Sequence, residues 1–541
     1  MLRDLGRLTA IEHDLLVIGG GISGLIAAYD AAQRGLSVAL IDRGDFGAAT
    51  SFNHLKTVHG GLRYLQQGDL RRMRHSVLER RTLATIAPHM VVPLAFLAPT
   101  TRTLRRSRLA FLMAFGIDRW IGRDRNAGLP PQLHLPAGRV ISLEECRRVA
   151  ADLDLTEATG AALWYDYQMP VADRLTLAFA LAADAHGAVL TNYIEALAPM
   201  RHGTRVRGVR ARDVAGRVES IEIRARVTLN AAGPWAQSIM SASGIVRDLP
   251  LLKAVNLVTR RAACGPALVR STRNGRTLVL VPWQGRAIIG TSESASTCGP
   301  DNRGVTSEEL QTFLREINTT FPTLNLRDDE VSLIHRGVVP AVIRHGRART
   351  RAHPEIIDHE RDGLQGLITA IGVKYTTARL LAEQAVDVVV AKLGRGPLPC
   401  RTASVPLPGA LSDSTDTLAA TLLDKHGSWL DKTSATHLAT TYGTGYHTVV
   451  ALAEQDQTLR ERTTPDSPVL RAEIVHAVRN EMALTLTDVV VRRTALGAAG
   501  HPGSMSARAC ADILARELHW TVERASNEID ALNDFYHPIG A

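Results

Sequence analysis

Aromatic residues make up only 4% of this 541-residue chain, cysteines number five, and nowhere does an apolar run reach the roughly 18 residues of a membrane-spanning helix. Each scarcity excludes something. The formal net charge of +9 comes from scattered residues, mostly Arg, without the rings that single-stranded nucleic acid stacks on, so no nucleic-acid partner is expected. Cys146, Cys264, Cys298, Cys400 and Cys510 show no CxxC or metal-ligand spacing and are odd in number. Neither a disulfide framework nor a metal site is therefore expected, and a reducing, cytoplasmic setting fits. The lack of a spanning stretch, and of an apolar run in the opening MLRDLGRLTAIEHD, leaves a soluble or peripheral protein, cytoplasmic or at the inner face of a membrane. Low-complexity tracts and repeats are missing too. A chain this long exceeds what one core usually supports, so two or three ordered domains are expected.

One segment keeps the peripheral reading open. LRRSRLAFLMAFGIDRWIGR, residues 104–123, sets a nine-residue apolar centre between arginines, with Trp120 near its end. It reads either as an interfacial helix or as a buried helix with solvated ends.

The densest local signal is DLLVIGGGISGLIAAYDAAQRGLSVALID, residues 14–42. An apolar run reads as a buried parallel strand, Gly19, Gly21 and Gly24 follow in GxGxxG spacing, and an Ala-rich helix leads to a second strand ending at Asp42. The glycines serve a tight turn, close approach of backbone to a pyrophosphate, and close packing of helix on strand. The helix start offers N–H groups and a positive dipole end to phosphates, and Asp42 can accept from ribose hydroxyls. Two later segments have similar character: LNAAGPWA, with Ala232 and Gly233, and LITAIGVKYTTARLLAEQAVDVV, with Gly372, Lys374, Thr376 and Thr377 ahead of a long helix. Three separated segments converging on one long ligand suit FAD.

LKTVHGGLRYLQ (55–66), followed by LERRTLATIAPHMV, resembles the signature of FAD-dependent glycerol-3-phosphate dehydrogenases and oxidases. NAAGPWA, LVPWQGRAIIGTSE, IGVKYTTARLLAE, CRTASVPLPG and YGTGYHTVVALAEQD extend the likeness over nearly the whole chain. The resemblance implies an oxidoreductase, a flavoprotein of glycerol metabolism, that oxidises the secondary alcohol of sn-glycerol 3-phosphate to dihydroxyacetone phosphate. A hydride would pass to flavin N5, and quinone or oxygen would take the electrons. It places Thr50, Ser51, Lys56, His59, Gly60 and Gly61 along the flavin and pyrophosphate, the glycines giving the ring room, and sends Arg63 and Tyr64 into the substrate pocket. His59 and His335 are the candidate bases.

The likeness breaks in the pocket. Val339 stands where the family has a phosphate-binding arginine, and Asn256 where it has a histidine. An amide cannot accept a proton as an imidazole does. Arg351, Lys374 and Arg63 remain as anion partners, with Arg336 a candidate substitute for the missing arginine. The same flavin chemistry on another polyol, a sugar derivative or an amine is the alternative, and a non-catalytic flavin-binding protein a distant one. The substrate is expected to be a small anion or polyol; peripheral membrane contact and a homodimer are left open.

The fold class expected is α/β (α+β). A Rossmann-like FAD domain of the glutathione-reductase/D-amino-acid-oxidase type would span 1–95, 170–245 and 355–395. An antiparallel-sheet substrate domain would be inserted over 96–169 and 246–354. A Pro- and Gly-rich linker would lead to a C-terminal helical domain over 410–541, where IVHAVRNEMALTL has helical apolar spacing.

Overall fold

The computed structural model describes residues 1–150, 155–216, 218, 220–411 and 414–537. Parts of the expected domains over 96–169, 170–245 and 410–541 thus lie outside the described residues. The apolar run near the N-terminus forms β1 (His13–Ile18), every residue of which is buried. A strand buried on both faces belongs in the middle of a parallel sheet covered by helices. β1 pairs in parallel with β2 (Val38–Ile41), Leu15 opposite Val38, and with β3 (Ile221–Asn230), Ile18 opposite Asn230. The strand Val189–Thr191 continues the sheet beyond β2, and Leu367–Ile371 continues it beyond β3. Antiparallel strands Ile194–His202 and Arg205–Asp213 extend β3 outward.

Between β1 and β2 runs α1 (Ile22–Gln33), ten of whose residues are buried. A Cβ on Gly24 would lie 1.9 Å from the Gly19 carbonyl oxygen, so only glycine lets the helix approach its strand this closely. Gly19 itself has φ +109°, and a Cβ there would lie 2.6 Å from Ala231 O on the turn after β3.

A second, larger sheet caps this layer. Its strands include Val92–Thr100, Gly160–Gln168, β4 (Leu251–Ala262), Thr277–Trp283, Arg286–Glu293 and β5 (Val331–Arg344). One face is covered by the helix Ser307–Thr320, which starts on a Thr306/Glu309 capping box and buries Leu310, Phe313, Leu314 and Ile317. Alternation along β5 assigns the faces. Ile334 packs beneath that helix, whereas Leu333 joins Phe52, Trp283 and Ile288 in a core shared with the C-terminal helices. The helices between Thr415 and Tyr536 therefore complete their core on the cap sheet.

Buried ion pairs fasten the same helices to the nucleotide-binding layer. Asp45, three residues after Asp42, accepts from Arg492 Nε at 2.6 Å and Arg493 Nη2 at 2.6 Å, and Arg174 meets Glu481 at 2.7 Å. Two strong cations hold Asp45 down at about 2 despite its burial.

Two sequence expectations change. The spacing of IVHAVRNEMALTL gives a helix only as far as Glu481, because Met482 turns left-handed at φ +59°. Of the remaining apolar residues, Met482 and Ala483 are buried in a loop and Leu486 is buried where the next helical segment begins. The 104–123 segment forms α3 (Arg108–Ile121), as its run suggests, but its apolar residues mostly face out. Leu109, Leu112, Met113, Ile117 and Trp120 are exposed, and only Phe115 and Ile121 are buried. The buried-helix alternative is overturned, since the neighbouring strands leave that face uncovered.

Candidate active site

The end of α1 forms a cradle. Gly21 is its N-cap and no side chain caps it; a Cβ there would meet only Ser51 Oγ, at 3.3 Å. Ser51 Oγ accepts from Ile22 N at 2.9 Å, which fixes the 50–53 segment against the helix start. Asp42 accepts from Gly20 N at 2.5 Å and Gly44 N at 2.7 Å, and burial pushes its carboxyl up to about 6, so it is ionised at neutral pH. Gly233 turns left-handed at φ +57° with open space at its Cβ position, Ala232 N donates to Asn230 Oδ1, and Gly372 abuts Ser23 Oγ. Thr376 is buried behind it, and Thr50 Oγ1 donates to Val338 O at 2.7 Å. A helix N-terminus left open, flanked by small residues and an ionised acid, fits the pyrophosphate and ribose of a dinucleotide.

Lys56 is different. Its ammonium donates to Phe52 O at 2.7 Å, lies 3.4 Å from Asp173 and sits over the Phe52 ring, so its charge is committed inside the protein.

A second cluster gathers around His59. Gly60 and Gly61, expected to make room for the flavin, make room for neighbouring protein side chains as well. A Cβ on Gly60 would fall 2.5 Å from Arg80, and one on Gly61, at φ +81°, would fall 2.5 Å from the Tyr64 ring. Asp166 sets Arg80 in place and also accepts from Gly60 N at 2.6 Å. Lys374 donates to Ser76 Oγ at 2.8 Å and lies 4.9 Å from the Tyr64 ring, while Arg72 lies 4.0 Å from the same ring. Burial, then the charges of Lys374, Arg63, Arg72 and Arg80, hold the His59 imidazole well below its ordinary value, so it is neutral at pH 7. Burial and Arg72 hold Lys374 well below its own.

Arg72, Ser76 and Arg80 were missed by sequence reasoning. They recur every four residues along α2 (Leu70–Ile86), one stripe of one helix face, and that spacing was the available signal. Arg63 is exposed and lines a cavity of about 600 Å³ with Phe111, Ala114 and Ile117 of α3.

The remaining pocket candidates lie on β4 and β5. Asn256 is buried opposite His335, and its Oδ1 accepts from Thr291 Oγ1 at 2.8 Å. His335 stacks on Phe52, ring centroids 4.8 Å apart. Gly337, two residues before Val339 and so on its face, packs against Asn53 and Thr50. Arg336 stands on the other face, opposite Val255, whose side chain lies under the Ser307–Thr320 helix. It therefore cannot stand in for an arginine at 339. Arg351 N donates to Pro340 O at 2.9 Å, but its guanidinium is paired with Glu355 at 2.5 Å.

A parallel nucleotide-binding sheet capped by a mixed sheet, with an open helix start and an ionised acid after the second strand, defines a dinucleotide-dependent oxidoreductase. The comparisons agree. Residues 14–387 match the model of FAD dependent oxidoreductases, and 400–525 that of the C-terminal domain of alpha-glycerophosphate oxidase. A glycerol-3-phosphate dehydrogenase of Synechocystis sp. is 30% identical, the match covering 99% of this chain and 98% of the relative. One from Mycobacterium leprae is 31% identical over 97% of this chain and 88% of its own. The structure of the glycerol-3-phosphate dehydrogenase from Bacillus halodurans complexed with FAD superposes with a TM-score of 0.78 at 25% identity, covering 99% and 96% of the two chains. The chain belongs to the FAD-dependent glycerol-3-phosphate dehydrogenase family, and it is a flavoenzyme with FAD as its cofactor.

Proposed function

We propose that the protein oxidises the secondary alcohol of sn-glycerol 3-phosphate to dihydroxyacetone phosphate. The observation that carries this reading is a neutral imidazole, His59, set among four cations next to the segments that hold the dinucleotide. Bound FAD supplies the hydride acceptor. Gly21, Ser51, Asp42, Gly233 and Gly372 hold the cofactor, and His59 Nδ1 or Nε2 takes the hydroxyl proton. A neutral imidazole amid positive charge is a weak base, but the alkoxide that forms beside it is stabilised by the same cations.

Lys374, Arg63 and Arg72 supply the anion site. Burial makes the Lys374 charge costly, and a phosphate arriving beside it offsets that cost. Asn256 and Val339 stay on the cap side of the pocket and contribute shape rather than charge. Arg63→Ala removes one charge-assisted contact, about 1.5–3 kcal/mol, so the KM for sn-glycerol 3-phosphate should rise about ten- to a hundredfold. Steady-state reduction kinetics test this; an unchanged KM would remove Arg63 from the site.

The outward face of α3 fits a lipid surface. Leu109, Leu112, Met113, Ile117 and Trp120 are exposed, with Arg102, Arg105, Arg108, Arg119 and Arg123 exposed around them. Apolar burial flanked by arginine suits anionic headgroups, and a membrane quinone is then the electron acceptor within reach. Leu112→Asp with Trp120→Asp should abolish co-sedimentation with anionic vesicles while FAD content holds; retained co-sedimentation would move the contact elsewhere. The two sheets and their covering helices support a division into an FAD domain, an inserted cap and C-terminal helices.

A further inference from the structure

Arg336 is an arginine without an anion. Its Nη1 is buried and has no hydrogen-bond partner. The charge that acts on it is of the same sign, Arg303. Arg303 lies 5.7 Å from the centre of the Trp235 ring, and Arg43 lies 4.0 Å from that ring on its own account. The one acid among them, Asp301, is engaged by Arg43 Nη2 at 2.8 Å and Trp235 Nε1 at 2.9 Å. Among the described residues no carboxylate makes an ion pair with Arg303 or Arg336, and Arg303 is attracted to Asp301 only from beyond contact distance. Holding two guanidiniums together and partly out of water costs free energy until an anion comes between them. Burial and this repulsion hold Arg336 down at about 10, the direction an unmet cation shows.

The place matters as much as the charge. Arg336 N donates to Asn53 Oδ1 at 2.7 Å, and Thr50 Oγ1 bonds Val338 O, so β5 is pinned to the 50–53 segment. Ser51 of that segment accepts from Ile22 N at the start of α1. Arg43 follows Asp42, and Trp235 follows Gly233 by two residues. Arg336 thus meets the 50–53 segment through its backbone, and Arg303 and Arg43 lie at the Trp235 ring beside the turn after β3. A phosphate is the anion whose spread oxygens match guanidinium forks.

We propose that Arg336 and Arg303 form a phosphate-binding pair that grips the FAD pyrophosphate from the cap side, opposite the α1 N-terminus. The proposal rests on FAD being the cofactor. Val338, on the same face of β5 as Arg336, packs with Ala236 and Ile371 of the dinucleotide-binding layer, so this face meets that layer as well as the Ser307–Thr320 helix. The cap sheet then contributes directly to cofactor retention.

The test uses full-length protein freed of flavin, with FAD and riboflavin binding followed by flavin fluorescence in wild type, Arg336→Met and Arg303→Met. FAD affinity should fall about ten- to a hundredfold in each variant, the loss of one charge-assisted contact. Riboflavin, which has no phosphate, should bind all three proteins alike. Melting of the flavin-free variants should be unchanged or raised, because a repulsion has been removed, and Arg336→Lys should recover part of the FAD affinity. Unchanged FAD affinity in both variants overturns the proposal; if the KM for sn-glycerol 3-phosphate rises instead, the pair serves the substrate phosphate. A lowered melting temperature of the flavin-free variants also overturns it, since the role is then structural. Failure of the wild type to take up FAD would overturn both this proposal and the cofactor reading, and it would be seen before any variant is compared.

Discussion

Gly21→Val is expected to yield a folded, colourless protein. The backbone at Gly21 has φ −73°, open to any residue, and the only atom near a new Cβ is Ser51 Oγ at 3.3 Å. The strand, helix and cap should therefore assemble much as before. What the side chain takes up is the space at the uncapped helix start, where the pyrophosphate must approach backbone N–H groups. Gly24→Val makes the contrast, since its Cβ would collide with Gly19 O at 1.9 Å and separate helix from strand. Circular dichroism and flavin absorbance distinguish the two: Gly21→Val should lose flavin and keep its fold, and Gly24→Val should lose both. A yellow Gly21→Val protein would show that the cofactor lies elsewhere.

His59→Asn carries the second large effect. The amide keeps the size and polarity of the imidazole but cannot accept a proton. A positioned general base is worth about 10²- to 10⁴-fold in rate, so kcat should fall by that order while FAD content stays the same. The pH profile supplies a second reading. Because burial and the surrounding cations depress the His59 value, the wild-type rate should hold level as pH falls through 6.5. It should decline only at more acid pH, where the imidazole takes up a proton, and the variant should lack that decline. If His59 served packing alone, kcat would track flavin content and the acid limb would persist.

The cradle was legible because its glycines act locally. Turn, approach and packing all occur within the 14–42 segment, and the spacing that announces them is the spacing the fold uses. The Gly60–Gly61 pair was legible as a place of close approach but not as to what approaches. Its neighbours are Arg80, nineteen residues beyond Gly61, and Tyr64 folded back on a short helical turn, contacts that arise only once α2 packs. The stripe of Arg72, Ser76 and Arg80 was present in the sequence but is hard to separate from an ordinary solvated helix face. Burial alone distinguishes it, with Ser76 and Arg80 almost fully covered. The α3 segment shows the opposite limit. Its composition allowed a buried or an interfacial helix, and the choice depended on whether the sheet beside it covered the apolar face. At β5, alternation rules out Arg336 as a substitute at Val339, and the bond from its backbone N–H to Asn53 Oδ1 arises only once the cap sheet docks on the 50–53 segment.

The central claim is that this pocket oxidises sn-glycerol 3-phosphate on a bound flavin. Anaerobic addition of that compound to purified holoenzyme, with the flavin absorbance followed in time, tests it most directly. Bleaching of the oxidised flavin band at low substrate concentration, and little or none with glycerol, which lacks the phosphate, is the predicted result. A yellow enzyme whose flavin stays oxidised with sn-glycerol 3-phosphate would contradict it.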